Sequence, residues 1–311
     1  MTKVEELIDS MRRTPPEITP AIDLVNEPMV RHWCDALGIE NPLYLDKEAA
    51  KRGPYGELVA PGAMLYSWVI PGYSATMANL RPKDDKRVTW ATAGYPGVVA
   101  TNFEYTFDIY PRMGERLIRI STLESVSDLK KTKLGEGYFQ TRSEIYIGEG
   151  GRRIGGLRLS AYHFKPPVAD PNSQPKSPAK VELPKEDPAF QPVAIDITAS
   201  LVVAAAIATR DYALVHHDRD AAQRGGTKDI YLNILATVGL VQRSIEAWYG
   251  PNTKLEVVNL RLLSQCYPGD CLTFKNMSST SLPDGRMEIK VRGDLRESVF
   301  ADVSVIARKL D

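Results

Sequence analysis

Apolar positions along this chain change their period several times, and they do so twice in the same order. Residues Val4 to Met11 carry apolar side chains at helical spacing. The run NEPMVRHWCDALG, Asn26 to Gly38, predicts a second helix, with Asn26 as its cap, Pro28 in the first turn and Gly38 as its stop. Much later, Thr198 is placed to cap ASLVVAAAIATR in the same way. Apolar stretches at roughly Gly62 to Ile70 and Asp229 to Trp248 predict one central helix in each half. After each central helix the period falls to two. FEYTFDIY, GERLIRISTLESVSDLKK, GYFQTRSEIYIG and RIGGLRLSAYHF alternate as half-buried antiparallel strands do, and KLEVVNLRLLSQCY, CLTFKNMSST, RMEIKVRGDL and VFADVSVIARKL repeat the block one for one. In both blocks a glycine turn leads into the second strand, Met113-Gly114-Glu115 in one and Pro268-Gly269-Asp270 in the other.

This repetition predicts an α+β chain built from two copies of one domain, residues 1–165 and 193–311. Between them, Pro166 to Pro192 is rich in Pro, Lys, Ser and Asp without apolar periodicity and reads as an extended linker. A length of 311 residues suits two domains of ordinary size. Composition mainly excludes. With 39 basic and 39 acidic residues the formal charge is zero, so nothing attracts nucleic acid or an anionic membrane globally. No apolar run is long enough for a bilayer, the N-terminus lacks a signal-peptide core, and cytoplasm is the expected location. Cys34, Cys266 and Cys271 are too few and too irregular for a disulfide framework or a zinc site, and no His/Asp/Glu set has metal-ligand spacing.

Candidate chemistry sits in ATRDYALVHHDRDAAQRGGTKDIYLNIL. Asp211 and His216 are five positions apart, which on one continuous helix would leave them about 140° apart. A turn between them lets both converge on one water molecule, as general acid/base chemistry requires. The segment resembles the motif D-x-N-P-x-H-x-D of the MaoC-like, R-specific enoyl-CoA hydratases, with Asp211, His216 and Asp218 on its acidic and imidazole positions. Ala213 and Leu214 replace the usual Asn and Pro. The first copy carries the same motif with its chemistry erased. Asn41-Pro42-Leu43 are kept and Asp46 matches Asp218, but Ile39 and Tyr44 stand where Asp and His would be.

The resemblance implies a double hot-dog fold, two antiparallel sheets each wrapping a central helix and joined edge to edge. In narrower detail the second half is similar to the catalytic subunit of the heteromeric steroid side-chain enoyl-CoA hydratase of actinobacteria, and the first half to the MaoC-like part of its other subunit, here fused. The zinc-ribbon and OB-like extension of that other subunit is not found before Asp311, so its aldolase-docking role is not carried over. The reaction implied by the resemblance is hydration of a bulky, steroid-type enoyl-CoA, in which Asp211 and His216 activate the water; which is acid and which is base stays open. The resemblance also places the backbone N–H of Asn233, usually Gly, as donor to the thioester oxygen, although Asn233 serves equally as a buried cap. Met64, Tyr66, Trp68 and Tyr73 are candidates for an acyl pocket in the erased half, and Arg219, Arg224 and Lys228 for the CoA phosphates. No cofactor is implied, coenzyme A being part of the substrate. The expected partners are a second copy of the chain, as a homodimer, and an aldolase or thiolase. His217 competes with His216 for the catalytic role, while His32 and His163 read as structural. A non-catalytic acyl-CoA-binding or scaffold protein is the alternative, and a thioesterase a weaker third.

Overall fold

The computed structural model describes residues 2–80, 88–166 and 187–311. Most of the proposed linker, residues 167–186, lies outside them. Among the described residues eleven strands are paired: β1 (Glu17–Pro20), β2 (Gly97–Phe107), β3 (Ile118–Val126), β4 (Lys130–Thr132), β5 (Gly135–Ile147), β6 (Arg153–Lys165), β7 (Val193–Asp196), β8 (Thr253–Leu262), β9 (Cys271–Ser281), β10 (Arg286–Asp294) and β11 (Val299–Lys309). They form one antiparallel sheet in the order β1-β3-β5-β6-β2-β8-β11-β10-β9-β7, with β4 beside β5. Reading inward from either edge gives the same connectivity, so the sheet has an approximate twofold axis between β2 and β8. That seam pairs Phe103 with Leu260, Glu104 with Asn259, Tyr105 with Val258 and Thr106 with Val257. Joining there satisfies backbone groups that two separate sheets would leave unpaired.

The helices follow the same duplication. After α1 (Lys3–Arg13), α2 (Glu27–Leu37), α3 (Pro42–Leu45), α4 (Lys47–Arg52) and α5 (Tyr73–Leu80) belong to the first half, and α6 (Ala199–Thr209), α7 (Arg219–Arg224) and α8 (Ile234–Tyr249) to the second. Local chemistry explains their ends. The Asn26 side chain accepts from Met29 N at 3.0 Å, and Thr198 accepts from Leu201 N at 3.0 Å. Asp46 caps α4 through Glu48 and Ala49 N, and Asp218 caps α7 through Ala221 N at 2.9 Å. Asn26 and Thr198, Gly38 and Arg210, Ile39 and Asp211, Tyr44 and His216, Asp46 and Asp218, and Pro61 and Asn233 are all 172 positions apart. The motif letters therefore occupy equivalent places in the two halves. The fold is a double hot-dog.

Two central helices differ from expectation. In the first half, Gly62–Val69 is a 3₁₀ helix enclosed by Pro61 and Pro71 and buried apart from Tyr66. Eight residues is long for this winding, and the surrounding core holds it. In the second half α8 begins at Ile234, not Asp229, because Asn233 supplies the cap and Asp229 is engaged by Arg219 at 2.7 Å. Helix α8 is the centre of the core, buried at Leu235, Ala236, Val238, Leu240, Val241 and Ile245. At Gly239 it meets α2 so closely that a Cβ would stand 2.5 Å from Leu37 Cδ1 and 2.8 Å from Trp33 Cζ2. Among the described residues no helix is long and apolar enough to cross a membrane.

Candidate active site

Helix α6 ends at Arg210, which adopts φ 60° and ψ 18°, a left-handed conformation that only this non-glycine residue takes among the described residues. The first half uses Gly38, at φ 63° and ψ 40°, in the equivalent place. Arg210 is held by an ion pair to Asp23 of the first half at 2.8 Å, and it turns the chain so that Asp211 leaves the helix axis. Asp211 is fixed in turn by Ala213 N donating to its Oδ1 at 3.3 Å. A single 3₁₀ turn, Leu214–His216, brings the imidazole back. The proposed turn between acid and imidazole is thus present, held by this Asx-type contact where the usual Asn-Pro is missing.

The two groups meet with Asp211 Oδ2 3.5 Å from His216 Nε2. His216 Nδ1 lies 2.8 Å from the carbonyl oxygen of Tyr231, whose ring also packs edge-on against the imidazole. Because a carbonyl only accepts, Nδ1 carries the proton and donates, and in the neutral ring Nε2 presents its lone pair toward Asp211. At 3.5 Å the separation is longer than a charge-assisted hydrogen bond. Both groups remain free to hold one water between them.

A third group stands beside them. Asn233 caps α8 through Ala236 N at 2.7 Å, and its amide donates to Thr209 Oγ1 at 2.9 Å. The side chain of Asn233 is therefore a cap, one of the two roles expected for it. The next backbone N–H groups, of Ile234 and Leu235, are the first two of the helix and have no intrahelical acceptor. Helix N-termini favour developing negative charge. Ile234 and Leu235 both line a cavity of about 530 Å³ that also includes Asp211.

That cavity extends into the first half, where Tyr66 and Val69 of the 3₁₀ helix, Phe103 on β2 and Leu157 on β6 form its walls. Of the four residues suggested for an acyl pocket, only Tyr66 lines it. Met64 and Trp68 are wholly buried in the core. Tyr73 instead packs edge-on against Tyr212 at 5.7 Å and His217 at 6.4 Å, beside the loop that carries Asp211 and His216. A helical stripe could not reveal this division, since facing core and facing cavity share one periodicity. The cationic candidates lie outside the lining as well. Arg219 is engaged by Asp229, Lys228 sits 4.2 Å above the Tyr267 ring, and Arg224 is exposed at the end of α7. His217 turns away, its Nδ1 buried without a hydrogen-bond partner. His32 is exposed on α2, and His163 on β6 stacks on Trp90 at 4.7 Å, burial holding its pKa down at about 4. Sequence reasoning missed Arg210, Thr209 and Tyr231, which orient the pair. Tyr231 acts through its backbone carbonyl, which any loop residue has, Thr209 acts through its hydroxyl, which accepts from Asn233 Nδ2 and Asp211 N, and the only available signal for Arg210 was its alignment with Gly38.

The equivalent place in the first half is closed. Tyr44, at the imidazole position, donates to Glu246 Oε1 at 2.5 Å and accepts from Gln242 Nε2 at 2.7 Å. Gln242 also donates to Glu246 Oε1 at 2.7 Å, and its Oε1 accepts from Ala63 N at 3.0 Å. Ala63 is the second residue of the first central helix, as Leu235 is of the other. A side chain of the second half thus occupies the helix-start N–H whose counterpart stays open in the half that holds Asp211 and His216. Burial pushes the Glu246 carboxyl up to about 7, against hydrogen bonds from Tyr44, Gln242 and Asn41 that pull it down.

Comparison with known proteins agrees with this architecture. Residues 16–155 match a family described as FAS1-like, dehydratase domain region. A probable enoyl-CoA hydratase alpha subunit from Thermomonospora curvata is 36% identical over 156 residues, 49% of this chain and 49% of that protein. The chain thus spans about half the length of that relative. The 3-oxo-4,17-pregnadiene-20-carboxyl-CoA hydratase beta subunit of Mycobacterium tuberculosis is 41% identical over 111 residues, 35% of this chain and 85% of that protein. Among solved structures, a MaoC-like dehydratase superposes with a TM-score of 0.69 at 16% identity, covering 95% of this chain and 97% of its own, a likeness of fold. With the duplicated hot-dog sheet, the motif letters in equivalent places and a relative matched over most of its length, the chain belongs to the MaoC-like enoyl-CoA hydratase family.

Proposed function

We propose that the chain is a hydro-lyase that adds water across the α,β-double bond of a bulky acyl-CoA thioester, using Asp211 and His216. The observation that carries this reading is the convergence of three features in one half only: a carboxylate and an imidazole 3.5 Å apart, free N–H groups at the start of the central helix, and a cavity, lined by Asp211 and that helix start though not by His216, that runs into the other half. Water held between Asp211 and His216 loses a proton to one of them as its oxygen bonds to the β-carbon. The π electrons move toward the thioester, whose oxygen takes up charge at the start of α8, and the proton is returned to the α-carbon on the same face. One water is consumed and the protein ends as it began. Asn233, Ile234 and Leu235 supply the candidate N–H donors. The Tyr231 carbonyl keeps the imidazole in the tautomer this needs.

A ring-bearing, steroid-like acyl group fits the volume of the cavity and its apolar walls, and the name of the M. tuberculosis relative points the same way. Because both halves are carried on one chain, pairing of two chains is the expected assembly, read from the mass in solution. The catalytic reading is tested by the loss of conjugated enoyl-thioester absorbance with a steroid enoyl-CoA and a crotonyl-type CoA side by side. Turnover of the steroid thioester, lowered about 10²–10⁴-fold in Asp211→Asn and His216→Ala, is expected. Turnover of the short substrate alone would remove the steroid reading. Well-folded protein inactive on both would sink the hydratase and leave an acyl-CoA-binding role.

A further inference from the structure

The acid and the helix start that the proposed reaction needs belong to separate segments, Asp211 just after α6 and the N–H groups of Ile234 and Leu235 at the start of α8. The imidazole is tied to the second segment by the contact of His216 Nδ1 with the Tyr231 carbonyl. The acid is tied to it through Thr209, the last residue of α6, which is wholly buried. Thr209 Oγ1 donates to Ala205 O at 2.7 Å, as threonines within helices commonly do. That uses the one hydroxyl proton and leaves two lone pairs. One accepts from Asn233 Nδ2 at 2.9 Å and the other from Asp211 N at 3.4 Å. Asn233 in turn caps α8 through Ala236 N. A single buried oxygen thus touches both the residue that carries the carboxylate and the residue that starts the helix.

The duplication supplies a control. The residue 172 positions before Thr209 is Leu37, the last residue of α2, and it is as fully buried. The counterpart of Asn233 is Pro61, whose side chain makes no cap hydrogen bond. Where Ile39 replaces the acid, both members of the tie are apolar as well. Filling the core at this place therefore needs no hydroxyl, and a polar group is buried here against its desolvation cost. The half that keeps Asp211 keeps Thr209 and Asn233 with it.

We propose that Thr209 is a positioning residue for the hydration reaction, its hydroxyl setting the separation between the Asp211 carboxylate and the N–H groups that take up charge from the thioester oxygen. The proposal rests on the hydratase reading above. The conjugated unit from β-carbon to carbonyl oxygen is planar and stiff, so water attack at one end and charge at the other are served together only at one spacing of the two protein groups. A saturated thioester rotates about the bond between its α- and β-carbons and binds without that spacing. Loss of the tie therefore weakens the transition state and spares ground-state binding.

The test compares wild-type full chain with Thr209→Val and Thr209→Ser, in hydration of whichever of the steroid and crotonyl-type enoyl-CoAs turns over and, by calorimetry, in binding of its saturated counterpart. Thr209→Val is expected to lower kcat about 10–100-fold while affinity for the saturated ligand stays within about twofold. Thr209→Ser, which keeps the oxygen, should recover kcat to within about threefold of wild type. Asn233→Ser retains a capping oxygen but loses the amide donor. It should lower kcat in the same way, a readout that holds even where Thr209→Val does not fold, and in the double variant it should add nothing to Thr209→Val, because both cut one tie. Gly239→Ala, which strains the packing of α8 on α2, controls for lost stability and should leave kcat at the wild-type level. Unchanged kcat in Thr209→Val, equal losses of kcat and affinity, no rescue by Ser, or an equal loss of kcat in Gly239→Ala would overturn the proposal. Wild type that hydrates no enoyl-CoA is a separate outcome, which removes the hydratase reading and this inference with it, whereas hydration indifferent to Thr209 removes this inference alone.

Discussion

Replacing Glu246 by Gln should change how the stability of this protein depends on pH. Glu246 is buried within the closed half-site, and burial raises its carboxyl from 4.5 to about 7. The sign follows from which state binds the proton. Below about pH 4.5 the carboxyl is protonated whether the chain is folded or unfolded, and its contribution is fully present. As pH rises toward 7, the unfolded chain ionises Glu246 while the folded one keeps it neutral, so the unfolded state gains. Each pH unit in that window is worth about 1.4 kcal/mol. The contribution lost by pH 7 and above is thus about 3 kcal/mol, a large part of an ordinary domain's stability. Gln at this position keeps an oxygen for Tyr44 and Gln242 and cannot ionise. Urea midpoints of wild type and Glu246→Gln, compared from pH 4.5 to 8.5, should show a small constant difference at the acid end and a gain for the variant of about 3 kcal/mol by pH 8. Taking the difference cancels distant titrating groups. A difference that stays flat, or one in which wild type gains with pH, would mean that Glu246 is ionised in the fold and would refute the argument. Tyr44→Phe supplies a control of direction: removing a donor that pulls the carboxyl down should move the upper end of the window to higher pH.

Arg210 and Gly239 give two further tests. Arg210→Gly and Arg210→Ala both lose the ion pair to Asp23, but only Gly is at ease at φ 60°, so the Gly variant should be more stable by about 1 kcal/mol in urea. Equal stabilities would show that the left-handed turn is unstrained. Gly239→Ala forces a methyl against Leu37 and Trp33 and should lower stability by about 1–3 kcal/mol, read as a shift in urea midpoint; an unchanged midpoint would mean that α2 and α8 separate easily.

Local chemistry was legible in the sequence wherever it is encoded within a few residues. The caps Asn26 and Thr198 act on N–H groups three positions away, Asp46 and Asp218 were matched as motif letters and prove to be caps as well, and the spacing from Asp211 to His216 demanded a turn that is present. The duplicated strands were readable for the same reason, since alternation is a property of single segments. What the sequence hid is long-range. Tyr44 and Glu246 are 202 positions apart and Ala63 and Gln242 179, and nothing near Tyr44 says what took the place of the missing chemistry. A polar pair four residues apart in the apolar run of α8 was the one visible trace. Strand β1 is four residues long and largely exposed, too weak a pattern to predict, yet it brings Glu17 and Thr19 to the cavity. The start of α8 was placed five residues early because DIYL reads as apolar helix, whereas Asp229 folds back on its own loop.

The closed half-site also sets a stoichiometry. Gln242 presents an amide carbonyl to the Ala63 N–H, the same chemical group and the same helix position that a thioester carbonyl would use in the other half. In a symmetric pair of identical hot-dog subunits, any such blocking side chain would close both sites together. Carrying the halves on one polypeptide breaks that equivalence, so one half can be permanently self-occupied while its neighbour stays open, and titration with a non-hydratable acyl-CoA should saturate at one equivalent per chain.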